Sequence, residues 1–414
     1  MSKYFPINTQ TACRLKWAWS TLYLNSGQTS SCHRASHGTL NENNFDSFHN
    51  TPEKLHARQQ MLQGQWPDNG CEYCRDIEIV GGHSDRMFQN QVPDVYPDVL
   101  DQSPTQISVE PSILEVFFSN TCNFKCVYCK SSLSSAIQAE ELLYGSPIIP
   151  LKLDHRPNQY KNLAPRFWQW FENNSHKLMR LQILGGEPLL QKDFAKLLDF
   201  FDNDPHPDLE VNIVTNLGVP SNILSLNADR MASLLSSRKV KRIDIQVSID
   251  GWGPAQQYVR KGLDLDLWEN NLQTLMKHKI FRIGLLSTIC SLTIKEMPAL
   301  VAKYNQWNQQ HEIFWYMHHI LPAGTSIFDP EIFDFRIFQY DLEQTFSNIP
   351  DLTWDNHQTK KTLRGLIDRI EKFSFNDRNR HKDLLMCLNE IDRRRDSNWQ
   401  KTFPWLSKEI ENVV

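Results

Sequence analysis

Six apolar runs, each followed by a segment with helical spacing, occupy the middle of the chain. The runs are rich in Ile, Val and Leu, the side chains that suit strands buried on both faces. Repeated strand-and-helix units of this kind predict a parallel α/β fold. The predicted strands are residues 113–118, 178–184, 210–215, 243–249, 283–289 and 313–320. Six units are too few to close an eightfold barrel.

The chain on either side of these units has a different pattern. Residues 15–24 alternate and are rich in Trp, Thr and Tyr, which predicts a strand, and a turn at 25–28 folds residues 29–32 back onto it as a hairpin. Residues 52–63 predict a helix. Amphipathic helices are predicted after residue 330, where the arginines at 393–395 are expected to form a solvated helix face.

These patterns divide the chain into four predicted segments. They are a Cys-rich module at 1–92, a linker at 93–111, the α/β core at 112–325 and a helical C-terminal extension at 326–414. A composition of 40% hydrophobic and 22% charged residues suits a globular enzyme. The net charge of −4 gives no cationic surface for nucleic acid, and no apolar run is long enough to cross a membrane.

The N-terminal residues lack the apolar centre of a signal peptide, so we expect a cytoplasmic protein. Cysteines stay reduced in that compartment, and clustered cysteines there are typical of metal ligands rather than disulfides. Seven of the nine cysteines lie before residue 130, which places the expected metal chemistry in the first third of the chain. Cys290 and Cys387 stand alone and are expected to be buried thiols.

Three cysteines follow the first predicted core strand at the spacing C-x3-C-x2-C, namely Cys122, Cys126 and Cys129. Three thiolates can hold three irons of a [4Fe–4S] cluster and leave the fourth iron open to a substrate or cofactor. The alternative is a zinc site that lacks one ligand. The loop resembles the cluster loop of radical S-adenosylmethionine (radical SAM) enzymes. In that family an aromatic residue usually precedes the third cysteine and lies against the adenine, a position that Tyr128 occupies here.

This resemblance implies a partial (β/α)6 barrel of the TIM type, with an N-terminal Cys-rich hairpin module and a C-terminal helical extension. It implies that the open iron binds the amino and carboxylate groups of SAM. One electron from the cluster would then break a C–S bond and produce a 5′-deoxyadenosyl radical.

Three further motifs stand at the ends of predicted strands, where α/β barrels have their chemistry. The first, Gly185-Gly186-Glu187-Pro188, follows the second strand. Two glycines let a ligand approach the backbone, and a Glu can accept hydrogen bonds from an ammonium group. By resemblance to the family's G-G-E motif, Gly185, Gly186 and Glu187 would hold the SAM amino group.

The third predicted strand ends in Thr215-Asn216, which is similar to the family's T-N-G except that Leu217 precedes Gly218. The fourth ends in Ser248-Ile249-Asp250-Gly251, with Arg260 twelve residues after Ser248.

The last pattern resembles S-x-D-G…R in peptide-modifying and sulfatase-maturating radical SAM enzymes, which implies that Ser248 and Arg260 bind the SAM carboxylate. A guanidinium suits a carboxylate. Alternatively, Arg260 is a surface residue and Asp250 caps a turn.

Four cysteines of the N-terminal segment predict a second site. Cys13 and Cys32 flank the predicted hairpin, and Cys71 and Cys74 form a C-x2-C turn. Four thiolates suit either a [4Fe–4S] cluster or zinc. The hairpin spacing resembles the SPASM and twitch modules that bind auxiliary clusters in radical SAM enzymes. In that family the module follows the barrel, whereas here it precedes it.

The resemblance implies a radical SAM iron–sulfur enzyme that acts on a peptide or protein and takes electrons from an external flavodoxin or ferredoxin. Two alternatives remain open: radical modification of a nucleotide or other small polar molecule, and a non-catalytic iron–sulfur or zinc scaffold.

Overall fold

A computed structural model describes residues 6–7, 9–32, 38–79, 81, 84–91, 99–148, 158–319, 326–351 and 353–410. Its strands are β1 (Trp19–Tyr23), β2 (Gln28–Ser30), β3 (Ile113–Phe117), β4 (Lys125–Cys126), β5 (Arg180–Leu184), β6 (His206–Thr215), β7 (Val240–Ser248), β8 (Arg260–Lys261), β9 (Arg282–Ile289) and β10 (Ile313–His319). All six predicted core strands are confirmed, as β3, β5, β6, β7, β9 and β10, except that residue 320, the last of the sixth prediction, lies outside the described residues.

Eight of these strands form one sheet in the order β10-β9-β7-β6-β5-β3-β1-β2. Every neighbouring pair is parallel except β1 and β2. The α/β class with a mainly parallel sheet is therefore confirmed, while closure into a six-unit partial barrel stays a prediction. Because the carboxyl ends of parallel strands share one edge of a sheet, the loops after β3, β5, β6 and β7 meet there.

The N-terminal hairpin belongs to this sheet. β1 pairs in parallel with β3, from Trp19 beside Ile113 to Tyr23 beside Phe117, and β2 pairs back onto β1. The predicted hairpin is confirmed, but its predicted first strand is too long, because residues 15–18 form a short helix, α1 (Leu15–Ala18). All four side chains of α1 are buried. The alternation of polar and apolar residues there therefore does not reflect alternate exposure, which is what it would indicate in a strand.

Helices cover the sheet and extend the chain on both sides of it. The helix α2 (Pro52–Leu62) begins at its predicted residue, with the Thr51 hydroxyl accepting from the backbone N–H of Lys54 at 3.4 Å. The remaining helices are α3 (Glu72–Ile79), α4 (Asp85–Gln91), α5 (Val99–Gln102), α6 (Ser135–Tyr144), α7 (Tyr160–Asn174), α8 (Lys192–Asn203), α9 (Ser221–Ser236), α10 (Pro254–Val259), α11 (Leu265–Lys277), α12 (Met297–Asn308), α13 (Arg336–Asn348), α14 (Trp354–Phe373), α15 (Arg378–Arg395), α16 (Trp399–Thr402) and α17 (Pro404–Ile410).

The C-terminal helices are amphipathic as predicted, but the arginine run on α15 is not a solvated face. Arg394 and Arg395 are buried and bond to α6 and to the loop that follows it, and Arg393 alone points outward. A run of basic residues can be buried when carboxylates from distant segments pair with it, and a local sequence pattern does not show such pairing. The isolated Cys290 and Cys387 are buried thiols, as predicted.

In the portion of the chain that the structure describes, none of the helices combines the length and the apolar character needed to cross a bilayer.

Candidate functional site

The cysteine loop leaves the carboxyl end of β3 and is fastened on two sides. The short strand β4 pairs antiparallel with β8, which sets Cys126 opposite Arg260. Val127 N–H donates to the Val259 carbonyl at 2.8 Å. On the other side, the Ser134 hydroxyl donates to the Phe124 carbonyl at 2.7 Å. These contacts join the loop to β8 on one side and to the residue before α6 on the other.

The three thiols of this loop, Cys122, Cys126 and Cys129, lie close enough to repel one another when ionised. Burial, followed by charge repulsion from the other two thiols, raises the pKa of Cys129 to about 12. Burial likewise raises the pKa of Cys122 to about 11. Two N–H groups point at the Cys122 sulfur, from the Phe124 backbone at 3.5 Å and the Asn216 amide at 3.8 Å. Such donors stabilise a metal-bound thiolate.

The Gly-Gly-Glu turn after β5 lies against this loop. Gly186 has φ +57°, and a Cβ at this position would come 2.3 Å from the Thr121 carbonyl oxygen. A Cβ on Gly185 would come 2.7 Å from the Phe117 ring. The backbone N–H of Glu187 donates to the Thr121 carbonyl at 2.7 Å. The glycines therefore allow the turn to pack closely against the cysteine loop. This packing explains the two glycines independently of their expected role in ligand binding.

The Glu187 side chain is fully buried and already engaged. Its carboxylate accepts from the Thr215 hydroxyl at 2.7 Å, the Asn216 backbone at 2.6 Å and the Leu189 backbone at 3.1 Å. Burial raises the pKa of Glu187 to about 7, although these three donors act in the opposite direction. The side chain thus ties the end of β5 to the end of β6.

The Thr-Asn-Leu-Gly turn after β6 carries backbone strain. Leu217 has φ +57°, a left-handed conformation that glycine adopts without cost, and its side chain is fully buried. A Cβ on Gly218 would come 2.2 Å from the Phe124 ring. The Asn216 amide donates to the Asn123 side chain at 2.9 Å. This turn therefore packs directly against the cysteine loop.

Asp250, Arg260 and Tyr128 form a buried network beneath the loop. Arg260 donates twice to Asp250, at 2.8 and 2.9 Å, and the Tyr128 hydroxyl donates to it at 2.5 Å. Asp250 also accepts from the Thr288 backbone at 2.8 Å. The alternative that Arg260 is a surface residue is wrong, since its side chain is only 8% exposed. Ser248 lies buried at the end of β7.

Two residues at this site, Arg395 and Glu140, were not found in the sequence analysis. Arg395 donates to the backbone carbonyl of Lys125, next to Cys126, at 2.7 Å, and forms a buried ion pair with Glu140 at 3.0 Å. Lys125 also reaches Glu140, at 3.1 Å. These contacts join residues 255 and 270 positions apart, so no local motif could have indicated them.

The four N-terminal cysteines form a second group at the other end of β3. Because β1 is parallel to β3, Cys13 before β1 and Cys32 after β2 lie toward the amino end of β3. Cys13, Cys32 and Cys71 pack on one hydrophobic cluster. Burial, then repulsion from the Cys32 thiol, raises the pKa of Cys13 to about 12. Burial also raises the pKa of Cys74, and the negative charges of Asp85 and then Cys32 add to the increase.

Thiolate sulfurs are the donors that iron–sulfur clusters and zinc prefer, and both cysteine groups offer them. Across the described ranges, no three His, Cys, Asp or Glu side chains converge closely enough to ligate one single metal ion. Cysteine thiolates are the ligands of [4Fe–4S] clusters, so the donor type in each group suits such a cluster.

Comparison with solved structures returns matches at low identity and low TM-score. The enzyme anSMEcpe with bound AdoMet matches with a TM-score of 0.37 and 17% identity, over 60% of this chain and 61% of its own. Streptococcus suis SuiB bound to S-adenosylmethionine matches with a TM-score of 0.38 and 13% identity, over 72% and 63%. The FeFe-hydrogenase maturase HydG from Carboxydothermus hydrogenoformans matches with a TM-score of 0.34 and 14% identity, over 66% of this chain and 56% of its own.

Two of the matched proteins are also known with peptides, anSMEcpe with a Cp18Cys peptide and SuiB with its precursor peptide SuiA. The alignments span less than two thirds of the length of each of these proteins. No protein-family model and no curated protein sequence matches the chain.

Proposed function

We propose that this protein is a radical SAM enzyme that modifies a peptide or protein. The observation that carries the proposal is the meeting of four strand-end segments. The cysteine loop after β3 contacts the Gly-Gly-Glu turn after β5 and the Thr-Asn-Leu-Gly turn after β6, and Tyr128 of the loop bonds to Asp250 after β7. The parallel sheet brings these strand ends to one edge, and the segments that meet there are the ones whose sequences resemble the motifs of one family.

In this proposal Cys122, Cys126 and Cys129 hold a [4Fe–4S] cluster. When bound, the cluster would supply the electron that cleaves SAM to a 5′-deoxyadenosyl radical, with flavodoxin or ferredoxin as the external donor. Asn216 and the Phe124 backbone would stabilise the Cys122 thiolate by donating to its sulfur.

The remaining site residues differ in how many hydrogen bonds they already make within the protein. Glu187 and Asp250 are fully buried with several donors each, so we propose that they position their neighbours. Two nitrogens of the Arg260 guanidinium donate to Asp250. We propose that its remaining N–H donors bind a SAM carboxylate beside Ser248. Gly185, Gly186 and the Tyr128 ring would contact SAM from the loop side.

Cys13, Cys32, Cys71 and Cys74 would hold a second [4Fe–4S] cluster; zinc, the alternative metal, would require the four thiolates to move closer together. The proposed segments remain 1–92, 93–111, 112–325 and 326–414, with β1 of the first completing the sheet of the third. A cytoplasmic location, where thiols stay reduced, belongs to this proposal. The peptide substrate rests only on the resemblance of the N-terminal cysteine spacing to the twitch module.

The proposal is tested by reconstituting the protein anaerobically with iron and sulfide, reducing it and measuring 5′-deoxyadenosine formed from SAM. We expect cleavage by the wild type and none by the Cys122→Ala, Cys126→Ala, Cys129→Ala triple variant. The matched control is Cys290→Ala, Cys387→Ala, which removes two buried thiols outside the loop. Unimpaired cleavage by the triple variant would refute the assignment.

A further inference from the structure

One face of the parallel sheet carries carboxamide side chains on three neighbouring strands. Gln182 of β5, Asn212 of β6 and Gln246 of β7 are half-buried, whereas the residues directly before and after each of them are buried in the core. Gln182 is paired with Asn212, and Asn212 with Asp244, two residues before Gln246. Because side chains alternate along a strand, these residues share one face of the sheet, which we call the polar face.

The three amides have hydrogen-bonding capacity that the described part of the protein does not use. None of the described residues bonds to the side chain of Gln182, Asn212 or Gln246. The Asn212 Oδ1 atom is shielded from solvent and still accepts no hydrogen bond. A buried acceptor costs free energy unless a donor reaches it. The polar face therefore offers an acceptor to a ligand that carries an N–H group.

The charged residues of the same face are paired with one another near the amino ends of the strands. Arg180 and Arg242 contact Glu210 at 3.1 and 3.0 Å. Arg242 and Arg282 contact Asp244 at 3.0 and 3.8 Å. Each of these three arginines thus has a carboxylate partner, and none is left to bind a phosphate. The polar face therefore suits an uncharged group better than a nucleotide.

The spacing of the amides indicates the shape of the ligand. The backbones of Gln182 and Gln246 lie roughly 12 Å apart, from two strand spacings of about 4.8 Å and two residues of about 3.3 Å. A ligand that meets all three amides needs donors and acceptors repeated over this distance, which an extended peptide of about four residues supplies. A carboxamide is both donor and acceptor, as is each peptide bond. The set therefore matches the main chain of a peptide.

The polar face leads toward the cysteine loop. Ser248, beside which we place the SAM carboxylate, follows Gln246 by two residues on the same face. Asn216 follows Asn212 by four residues, and its amide donates to the Cys122 sulfur at 3.8 Å. A peptide on the polar face would thus lie next to the proposed SAM site.

We propose that Gln182, Asn212 and Gln246 bind main-chain amides of the peptide substrate, with the Asn212 Oδ1 atom accepting from a substrate N–H group. The inference rests on the proposed function, because it takes the substrate to be a peptide, and it adds the residues that recognise it. Since peptide bonds are alike at every position, these contacts orient the substrate without selecting its sequence.

The test measures peptide binding to the full chain, before and after reconstitution with iron, sulfide and SAM, with no reductant. The probe is a pool of acetylated and amidated octapeptides of random sequence, and retained peptides are identified and resynthesised. We expect their affinity to fall about tenfold in Asn212→Leu and in Gln246→Met, because each variant leaves a substrate amide unpaired. Gln306→Met, the same change at an exposed residue of α12, should leave affinity unchanged.

A modified probe separates direct contact from a structural role. A retained peptide is N-methylated at one backbone amide at a time, which removes one N–H donor. At one position the methyl group should weaken binding to the wild type about tenfold and have little effect in Asn212→Leu, because both changes remove the same hydrogen bond. Additive losses at every position would refute the contact. If Asn212→Leu does not fold, Gln182→Met at the paired position on β5 replaces it.

Equal peptide affinity of the wild type and the carboxamide variants would overturn the inference. So would a wild type that retains no peptide, whether or not it binds AMP or GMP. SAM cleavage by the reconstituted wild type is measured separately. Peptide binding through these residues without SAM cleavage would refute the radical chemistry and support the contacts, whereas equal modification of a peptide by the wild type and Asn212→Leu would do the reverse.

Discussion

Buried cations lie near both cysteine groups. At the cysteine loop, Arg260 and Arg395 are paired with carboxylates, whereas at the N-terminal group Arg86 is paired with Glu78 but Lys54 and Arg58 bond to neutral oxygens. Arg260 is held by Asp250 and Arg395 by Glu140, so the charge there is balanced by protein alone. Lys54 and Arg58 at the N-terminal group bond to neutral oxygens. The five residues of β3, at about 3.3 Å each, separate the two regions by roughly 17 Å. In the described residues, the two arginines at the loop therefore have carboxylate partners, whereas Lys54 and Arg58 are held by neutral oxygens.

The largest expected difference between the regions is functional. Changing Cys13, Cys32, Cys71 and Cys74 to Ala should leave about four irons per chain and intact SAM cleavage, since the loop is held by other contacts. Conversion of the true substrate should be lost. Iron analysis and 5′-deoxyadenosine formation measure this, with the loop triple Ala variant as the reciprocal control. Loss of SAM cleavage in the N-terminal variant would show that the two sites are not independent.

A second change should destabilise the cysteine loop by removing one charge of a buried ion pair. Glu140→Gln leaves the Arg395 guanidinium buried without its counter-charge, which typically costs about 3–5 kcal/mol. We expect the free energy of unfolding of the metal-free protein, from urea titration, to fall by that order. Retention of loop iron should fall as well, because Arg395 binds the carbonyl next to Cys126.

The matched control for this change is Glu141→Gln on the same helix, a partly exposed carboxylate whose loss should have little effect. Equal stability of the two variants would mean that the ion pair on the C-terminal helix does not support the loop.

The smallest expected effect is a pH dependence at the N-terminal group. Burial, together with the positive charges of Arg58 and Lys54, holds the pKa of His49 well below its usual range. The unfolded chain therefore binds a proton near pH 6.5 that the folded chain does not, so stability is lost as pH falls below 6.5. For one such group, the free energy of unfolding falls by about 1.4 kcal/mol for each pH unit below the unfolded pKa.

In the metal-free protein, His49→Gln should reduce the slope of unfolding free energy against pH between about 5 and 6.5. His56→Gln, on the exposed side of α2, is the control. Identical slopes for wild type and His49→Gln would contradict a buried neutral imidazole at this position.

The sequence determined those features that depend on neighbours along the chain. Branched aliphatic runs placed the six core strands, because strands buried on both faces leave a continuous apolar signal. The N-cap Thr51 marked α2, and the spacing of Cys122, Cys126 and Cys129 marked the loop, because cap and ligand geometry are set within a few residues. The motif glycines were also visible, although their contacts with Phe117 and Thr121 were not.

Tertiary structure decided what depends on distant partners. Residues 15–18 became helical because the surrounding core buries every side of them. β1 joined β3 across ninety residues, and Arg395 reached Glu140 from the end of the chain. Whether a buried charge meets a carboxylate, as Arg395 does, or neutral oxygens, as Lys54 does, is fixed by packing of distant segments. The sequence contains both residues of each pair but no local pattern that joins them, since the pairing energy exists only after the chain has folded.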